Sequence, residues 1–157
     1  MSIAIAAESP LQDDVRAPIA ELNEALLKLM PPEHYYHLTA EEMVQADRTV
    51  FVGRESGEAI AIGALKRHCG IGEVKRMYTR RGHRGHGIGG HILHEIQQRA
   101  ASDGLNRLVL ETGDRHPAAW RVYERAGFKR CGPVLDYPDS QWSVFYERPL
   151  MHKASAA

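Results

Sequence analysis

The sequence predicts an α/β domain with a mixed, mostly antiparallel central sheet of six to seven strands flanked by about four helices. Three observations carry that prediction. Three strand-like runs follow one another between residues 49 and 79, as in a meander. A glycine-rich turn at 80–90 then opens directly into an amphipathic helical pattern. Beyond residue 104, strand-like runs enclose one further helical segment, so the sheet is finished by strands that arrive after crossovers.

The elements follow in order. Residues 2–7 form a short apolar run of strand length. From 11 to 29 the apolar positions Leu11, Val15, Ile19, Leu22, Leu26 and Leu29 recur every three or four residues, which gives a helix with one buried stripe. Pro31-Pro32 stops it. Thr39 and Glu42 have capping-box spacing, predicting a short second helix over 40–46. Thr49–Gly53 and Ala59–Leu65 read as strands joined by a Gly-bearing turn, a β-hairpin, and Glu73–Thr79 adds a third strand. A helix beginning at Gly87 or Ile88 carries Ile88, Ile92, Leu93, Ile96 and Ala100 on one face and ends at Asp103-Gly104. Leu105–Thr112 is strand-like. Pro117 suits a helix first turn and Gly127 its left-handed cap. Phe128–Cys131 and Trp142–Glu147 supply the last strands, so residues 1–150 read as one domain and 151–157 as a disordered tail.

Composition narrows the function classes. The 157 residues suffice for roughly one domain with a substantial core. Twenty basic and twenty acidic side chains give zero formal net charge, which gives no support to nucleic-acid binding or a polybasic membrane contact. Two cysteines, Cys69 and Cys131, are too few for a disulfide scaffold or a four-cysteine zinc site. No apolar run approaches the ~20 residues of a membrane span, and Met1-Ser2-Ile3-Ala4-Ile5 lacks a signal-peptide pattern. The expectation is a cytoplasmic protein.

The turn Arg80-Arg81-Gly82-His83-Arg84-Gly85-His86-Gly87-Ile88-Gly89-Gly90 is the most informative segment. Its glycines allow close backbone approach to a ligand and let successive N–H groups point one way. The helix that follows adds its positive end. Lys75, Arg76, Arg80, Arg81 and Arg84 lie within ten residues without an acid among them, a local surplus that suits an anion such as pyrophosphate. A Walker A loop would end in Gly-Lys-Ser or Gly-Lys-Thr, which is missing here. A dinucleotide fingerprint would follow the first strand of a βαβ unit, whereas this turn follows an antiparallel meander.

On these residues the sequence resembles the GNAT acyltransferases, which use acetyl-CoA. Their pyrophosphate loop reads Gln/Arg-x-x-Gly-x-Gly/Ala, matched by Arg84-Gly85-His86-Gly87-Ile88-Gly89. Upstream the resemblance extends to the strand Glu73–Thr79. Downstream it extends to Ala119-Trp120-Arg121-Val122-Tyr123-Glu124-Arg125-Ala126-Gly127-Phe128, similar to the family's Ala-x-x-x-Tyr-x-x-x-Gly-Phe. It covers about 80 residues well, from 48 to 131. The resemblance implies acetyl-CoA as co-substrate, held by Arg84, Gly85, His86, Gly87, Ile88, Gly89 and Gly90 at its diphosphate. Backbone groups of Met77, Tyr78 and Thr79 would bond the pantetheine and the tetrahedral oxyanion, in a gap between this strand and its parallel neighbour at 107–112. The family often has Asn three residues before that Ala; His116 stands there, and is expected beside the cofactor.

The same resemblance implies catalytic roles. Glu73 would serve as general base toward an ammonium, a task suited to a buried carboxyl raised toward neutrality. An ion-paired strand residue with Lys75 on its face is the alternative. Tyr123 would protonate the departing thiolate, since a tyrosine O–H stays protonated at neutral pH. An amphipathic tyrosine closing the core at a helix end is the alternative. His91 and His94 share a helix face, but apart from Glu95 no Cys, Asp or Glu of matching spacing lies nearby, and no metal is expected. Tyr137, Trp142, Phe145 and Tyr146 are candidates for an acceptor pocket or for packing, and Tyr35-Tyr36 lies where the family forms its acceptor cleft. The expected activity is direct acetyl transfer from acetyl-CoA to a primary amine of a small molecule. A protein N-terminus or lysine is the alternative acceptor, and a CoA-binding module without catalysis or a metal- or nucleotide-binding regulatory domain the alternative class. A homodimer is left open by analogy.

Overall fold

A computed structural model describes residues 3–29, 40–114 and 116–150. Its elements are β1 (Ile3–Ala7), α1 (Asp13–Leu29), β2 (Arg48–Glu55), β3 (Glu58–Arg67), β4 (Ile71–Thr79), α2 (Ile88–Ser102), β5 (Arg107–Gly113), α3 (Pro117–Arg125), β6 (Lys129–Cys131) and β7 (Ser143–Pro149). The seven strands form one sheet in the order β1-β2-β3-β4-β5-β7-β6. Every pair is antiparallel except β4 with β5.

Local chemistry accounts for most of these elements. Asp13 and Asp14 sit in the first turn of α1, where their charge complements the helix dipole. Val15, Ile19 and Leu22 form its buried stripe, while Leu11 precedes the helix and is exposed. The β2–β3 connection places Ser56 and Gly57 both at positive φ (51° and 84°), the two-residue turn whose twist matches the flanking strands. β3 is buried over seven consecutive residues because helices cover both faces of the sheet. Ile60, Ala61 and Leu65 pack with Ile92, Leu93 and Ile96 of α2, while Ala59, Ile62 and Ala64 pack with Val15 and Ile19 of α1.

One expected helix does not form. Residues 40–43 make a turn with three-residue back-bonds, Met43 N–H to Ala40 C=O (3.2 Å) and Val44 N–H to Glu41 C=O (3.3 Å). Ala40 and Met43 are buried, but Val44 is exposed, so the segment has too little apolar surface to offset the cost of nucleating a helix. Three helices therefore flank the sheet among the described residues, against the four expected. Pro31-Pro32, Tyr35-Tyr36, Thr39 and the tail 151–157 lie outside the described residues. No helix among the described residues is long and apolar enough to cross a membrane.

Two irregularities in β4 position the site. Against β3, Ile62 faces Tyr78 but Ala64 faces Lys75, so Gly63 stands opposite both Arg76 and Met77, and Arg76 has φ of 60°. This is a β-bulge, which bends its strand. Gly63 admits it: a Cβ there would lie 2.6 Å from both Ile92 Cγ2 and Met77 Sδ. Against β5, the parallel pairing covers only Ile71–Glu73 with Arg107–Val109, and the strands separate beyond.

Candidate active site

Where β4 and β5 part, a cavity of about 120 Å³ opens. β4 contributes Glu73, Lys75 and Met77, β5 contributes Glu111 and Gly113, and the region of α3 contributes His116, Ala119 and Tyr123. Tyr137, from the connection between β6 and β7, closes one side. Beyond Glu73 the β5-facing edge of β4 has no strand partner among the described residues: Tyr78 and Thr79 pair only toward β3, and Met77 stands at the bulge. That is the gap the resemblance implied. The Met77 side chain also packs on the α2 core, and the Tyr78 hydroxyl donates to Glu21 at 3.2 Å.

Glu73 is 2% exposed and both its oxygens are engaged. His68 Nε2 lies 2.9 Å from Oε1. The Tyr137 hydroxyl donates to Oε2 at 2.5 Å, and Lys75 Nζ approaches the same oxygen at 3.5 Å. Lys75 also donates to the Tyr137 hydroxyl at 3.0 Å. Burial lowers the Lys75 ammonium below the ordinary lysine range, and the charge of Glu73 opposes that shift. Both alternative readings of Glu73 are thus visible together: it lines the cavity, and it is paired.

Sequence reasoning missed a second carboxylate. Glu111 lies two residues beyond the last β4–β5 pair, on the same face of β5 as Val109. Ser143 donates to its Oε2 at 2.7 Å. Burial raises its carboxyl above the usual carboxylate range, with Ser143 and Lys75 opposing and Glu73 adding to the rise. The signal was a charged residue closing the buried run Leu108-Val109-Leu110-Glu111, where one more apolar side chain would suit a core strand.

Tyr123 is the buried residue of α3. Its ring meets Phe128 edge-on at 6.1 Å and Tyr146 at 6.0 Å. Burial, and secondarily the charge of Glu111, push its hydroxyl far above the ordinary tyrosine range. The hydroxyl is therefore protonated at neutral pH, whichever role it serves. His116 is the N-cap residue of α3, and its buried Nε2 has no hydrogen-bond partner among the described residues. Burial lowers its pKa, so the ring is neutral at pH 7. A buried ring nitrogen without a partner, at the cavity wall, suits a bound polar group.

The glycine turn stands at the mouth of the gap. Gly85 (φ 84°) and Gly87 (φ 77°) adopt backbone conformations that other residues rarely take, with open space where a Cβ would project. α2 starts with no side-chain cap, which leaves its first-turn N–H groups facing outward. Arg84 is held over the loop by its Nε–H donating to Thr79 C=O at 2.8 Å, with its guanidinium 5.3 Å from the Tyr78 ring centre. His86 is exposed, whereas the Ile88 side chain is buried in the core, so Ile88 offers a ligand only its backbone. The local cation surplus is smaller than the sequence suggested. Arg80 pairs with Glu21 at 2.7 Å, Arg76 donates to the Asn23 side-chain carbonyl, and Lys75 is turned to Glu73. Arg81 and Arg84 remain at the loop.

Of the C-terminal aromatics, only Tyr137 lines the cavity. Phe145 lies in a small core with Val109 and Val134, and the buried Tyr146 donates its hydroxyl to Glu124 at 2.7 Å. No cluster of three or more His, Cys, Asp or Glu able to hold a metal ion occurs among the described residues. Neither cysteine lines the cavity: Cys69 is exposed, and Cys131 lies beside β7 with its thiol pushed up by burial.

Comparison with known proteins agrees with this geometry. The profile of the Acetyltransferase (GNAT) family matches residues 18–128. The chain is 37% identical over 151 residues to a protein named IAA acetyltransferase from Azospirillum brasilense, covering 95% of this chain and 99% of that one. It is 35% identical over 144 residues to the N-acetyltransferase YsnE of Bacillus subtilis, whose own role is uncharacterized, covering 86% and 93%. A solved structure from Klebsiella pneumoniae, assigned as an acyl-CoA N-acyltransferase, superposes with a TM-score of 0.80 at 28% identity, covering 95% of this chain and 98% of that one. A PaiA N-acetyltransferase from Thermoplasma acidophilum, solved with coenzyme A, shares the fold at a TM-score of 0.75 and 17% identity, covering 95% and 99%. An open seam beside an uncapped, glycine-led helix is thus found in a chain that belongs to the GNAT family of acetyltransferases.

Proposed function

We propose that this protein transfers the acetyl group of acetyl-CoA directly to a primary amine of a small molecule, in a ternary complex within the cytoplasm. The observation that carries the proposal is the cavity at the β4–β5 parting, lined by Tyr123 and two carboxylates, with the uncapped start of α2 reached by the turn that follows the free end of β4. The family's co-substrate supplies a thioester, an activated acetyl group on a good leaving group. The N–H groups of residues 85–90 and the Arg84 guanidinium would bind its diphosphate, as helix N-termini bind anions. The open edge of β4 at Met77, Tyr78 and Thr79 would hold the pantetheine amides, with His116 beside them. Amide donors directed at a developing oxyanion are typically worth ~3–4 kcal/mol of barrier.

Tyr123 would give its proton to the departing sulfur, and a carboxylate of the cavity would relieve the ammonium of its proton. Transfer without an acyl-enzyme is supported by the positions of Cys69 and Cys131, away from the cavity. A small acceptor is supported by the cavity's volume of about 120 Å³, which leaves little room beside a thioester. The test is a panel of small primary amines incubated with acetyl-CoA, with free thiol detected and products identified by mass. Amine-dependent thiol release with a matching acetylated product is expected. Coenzyme A binding without turnover on the panel, or turnover only on peptides, would overturn the reading.

A further inference from the structure

The cavity reaches through the sheet, and its two sides differ in chemistry. Toward α2, Val74 of β4 and Leu110 of β5 join the core of Ile92 and Ile96, and Tyr123 packs in the same cluster. Toward α1, the wall is formed by Leu22, Glu73, Lys75 and Arg76, with Tyr137 across from them.

The bulge in β4 concentrates positive charge on that second side. Adjacent residues of a regular strand point to opposite faces. Lys75 follows the core residue Val74, so it points away from α2, and its Nζ donates to the Tyr137 hydroxyl at 3.0 Å. Regular pleating would return Arg76 to the α2 side. Its φ of 60° turns it instead toward α1, where it donates to the Asn23 side-chain carbonyl, and Met77 takes the place on the α2 core. Two consecutive cations, Arg76 buried and Lys75 half-buried, therefore line one side of one cavity. A left-handed conformation at a non-glycine residue is strained, and such strain gathers at ligand-binding sites.

We infer that the acceptor is a small amino carboxylic acid, whose carboxylate docks on Arg76 and Lys75 while its amine reaches the thioester. The inference rests on the acetyl-transfer reading above and names its substrate class. A guanidinium is planar and offers parallel N–H groups at the spacing of two carboxylate oxygens. Lys75 has three N–H donors, and its hydrogen bonds among the described residues go to Tyr137 and Glu73, which leaves a third. Burial lowers the Lys75 ammonium, and a second carboxylate beside it would favour the charged form, as Glu73 already does. Glu73 does not bar an anion. His68, Tyr137 and Lys75 surround it, and it lies where β4 is still paired with β5, short of the two cations. A plain alkylamine would bring a third positive charge beside two that are already removed from water, whereas a zwitterion adds none.

The experiment measures kcat/KM for glycine, L-alanine, L-methionine, β-alanine and γ-aminobutyrate, each against its carboxamide and against the amine left when the carboxyl group is removed. A neighbouring carboxylate stabilises the ammonium, so intrinsic reactivity at neutral pH favours the carboxamide. The best amino acid should nonetheless exceed both analogues by about tenfold or more, chiefly through KM. Arg76→Gly accepts the φ of 60° without strain, and Lys75→Gln can still bond Tyr137; in each the ratio should fall to within about threefold of one. The parent comparison needs no variant, so it decides the matter if a variant fails to fold. Carboxamides or plain amines used as well as the amino acids, or a preference undiminished in either folded variant, overturn the inference. A parent that acetylates no amine overturns the acetyl-transfer reading instead. Calorimetric titration of the same compounds into protein saturated with coenzyme A then decides the inference. Amino acids binding about tenfold more tightly than their carboxamides would support it, and equal or undetectable binding would overturn it.

Discussion

Replacing Tyr123 by Phe separates packing from proton donation, because the structure makes the two consequences very different in size. The ring is buried against Phe128 and Tyr146, and Phe keeps those contacts. Its hydroxyl makes no hydrogen bond among the described residues, so its loss strands no buried partner and should change stability by less than ~1 kcal/mol. For a domain of this length that is a shift of at most about 2–4 °C in Tm. Loss of a general acid, in contrast, lowers the rate by about 10²–10⁴, or ~3–5 kcal/mol of barrier. Steady-state thiol release gives kcat, calorimetry gives coenzyme A affinity, and a melt gives Tm. The expected result is a kcat reduced at least about a hundredfold with affinity and Tm nearly unchanged. Equal losses in kcat and affinity, or a kcat within a factor of about two, would refute the reasoning and leave Tyr123 as packing alone.

Three further outcomes follow from the geometry. Arg84→Ala should raise KM for acetyl-CoA about three- to tenfold with kcat held, an exposed charged contact being worth ~0.5–1.5 kcal/mol, and an unchanged KM would remove Arg84 from the diphosphate site. Gly63→Ala should cost about 1–3 kcal/mol in a denaturant melt, because the new Cβ would crowd Ile92 and Met77 at the bulge, and a neutral result would mean that α2 yields freely. His116 is held neutral by burial, so the unfolded chain binds the proton more readily as pH falls through about 6.5. Stability should therefore decline on acidification below that pH, and His116→Asn should flatten the decline; an identical slope in both proteins would contradict the burial effect.

The features legible in the sequence were those written in local backbone chemistry. The glycines at 85 and 87 occupy positive φ, and the helix begins where its apolar stripe begins. The parting of β4 from β5 was expected only through the resemblance, and the bulge responsible was not foreseen at all. Nothing in Lys75-Arg76-Met77 announces that Arg76 adopts a left-handed conformation, since that depends on Gly63 from another strand and Ile92 from a helix. Glu111 was missed for a similar reason. Its meeting with Glu73 requires a parallel pairing between strands separated by a whole helix. The false helix at 40–46 is the converse case. Its capping spacing is local and correct in form, but only Ala40 and Met43 find a core to join. Arg80 shows that charge counts mislead in the same way, because Glu21, which neutralises it, arrives from α1.

The parallel contact between β4 and β5 spans only three register pairs, yet every strand on either side of it is joined to the sheet through that seam. The N-terminal and C-terminal halves of the sheet are therefore stitched at one end and free at the other, like a book held by the foot of its spine. A long, thin molecule laid into the free end would bond to both halves at once and act as a missing strand between them. The same scarcity of pairing that opens the cavity leaves the sheet most weakly joined along that line.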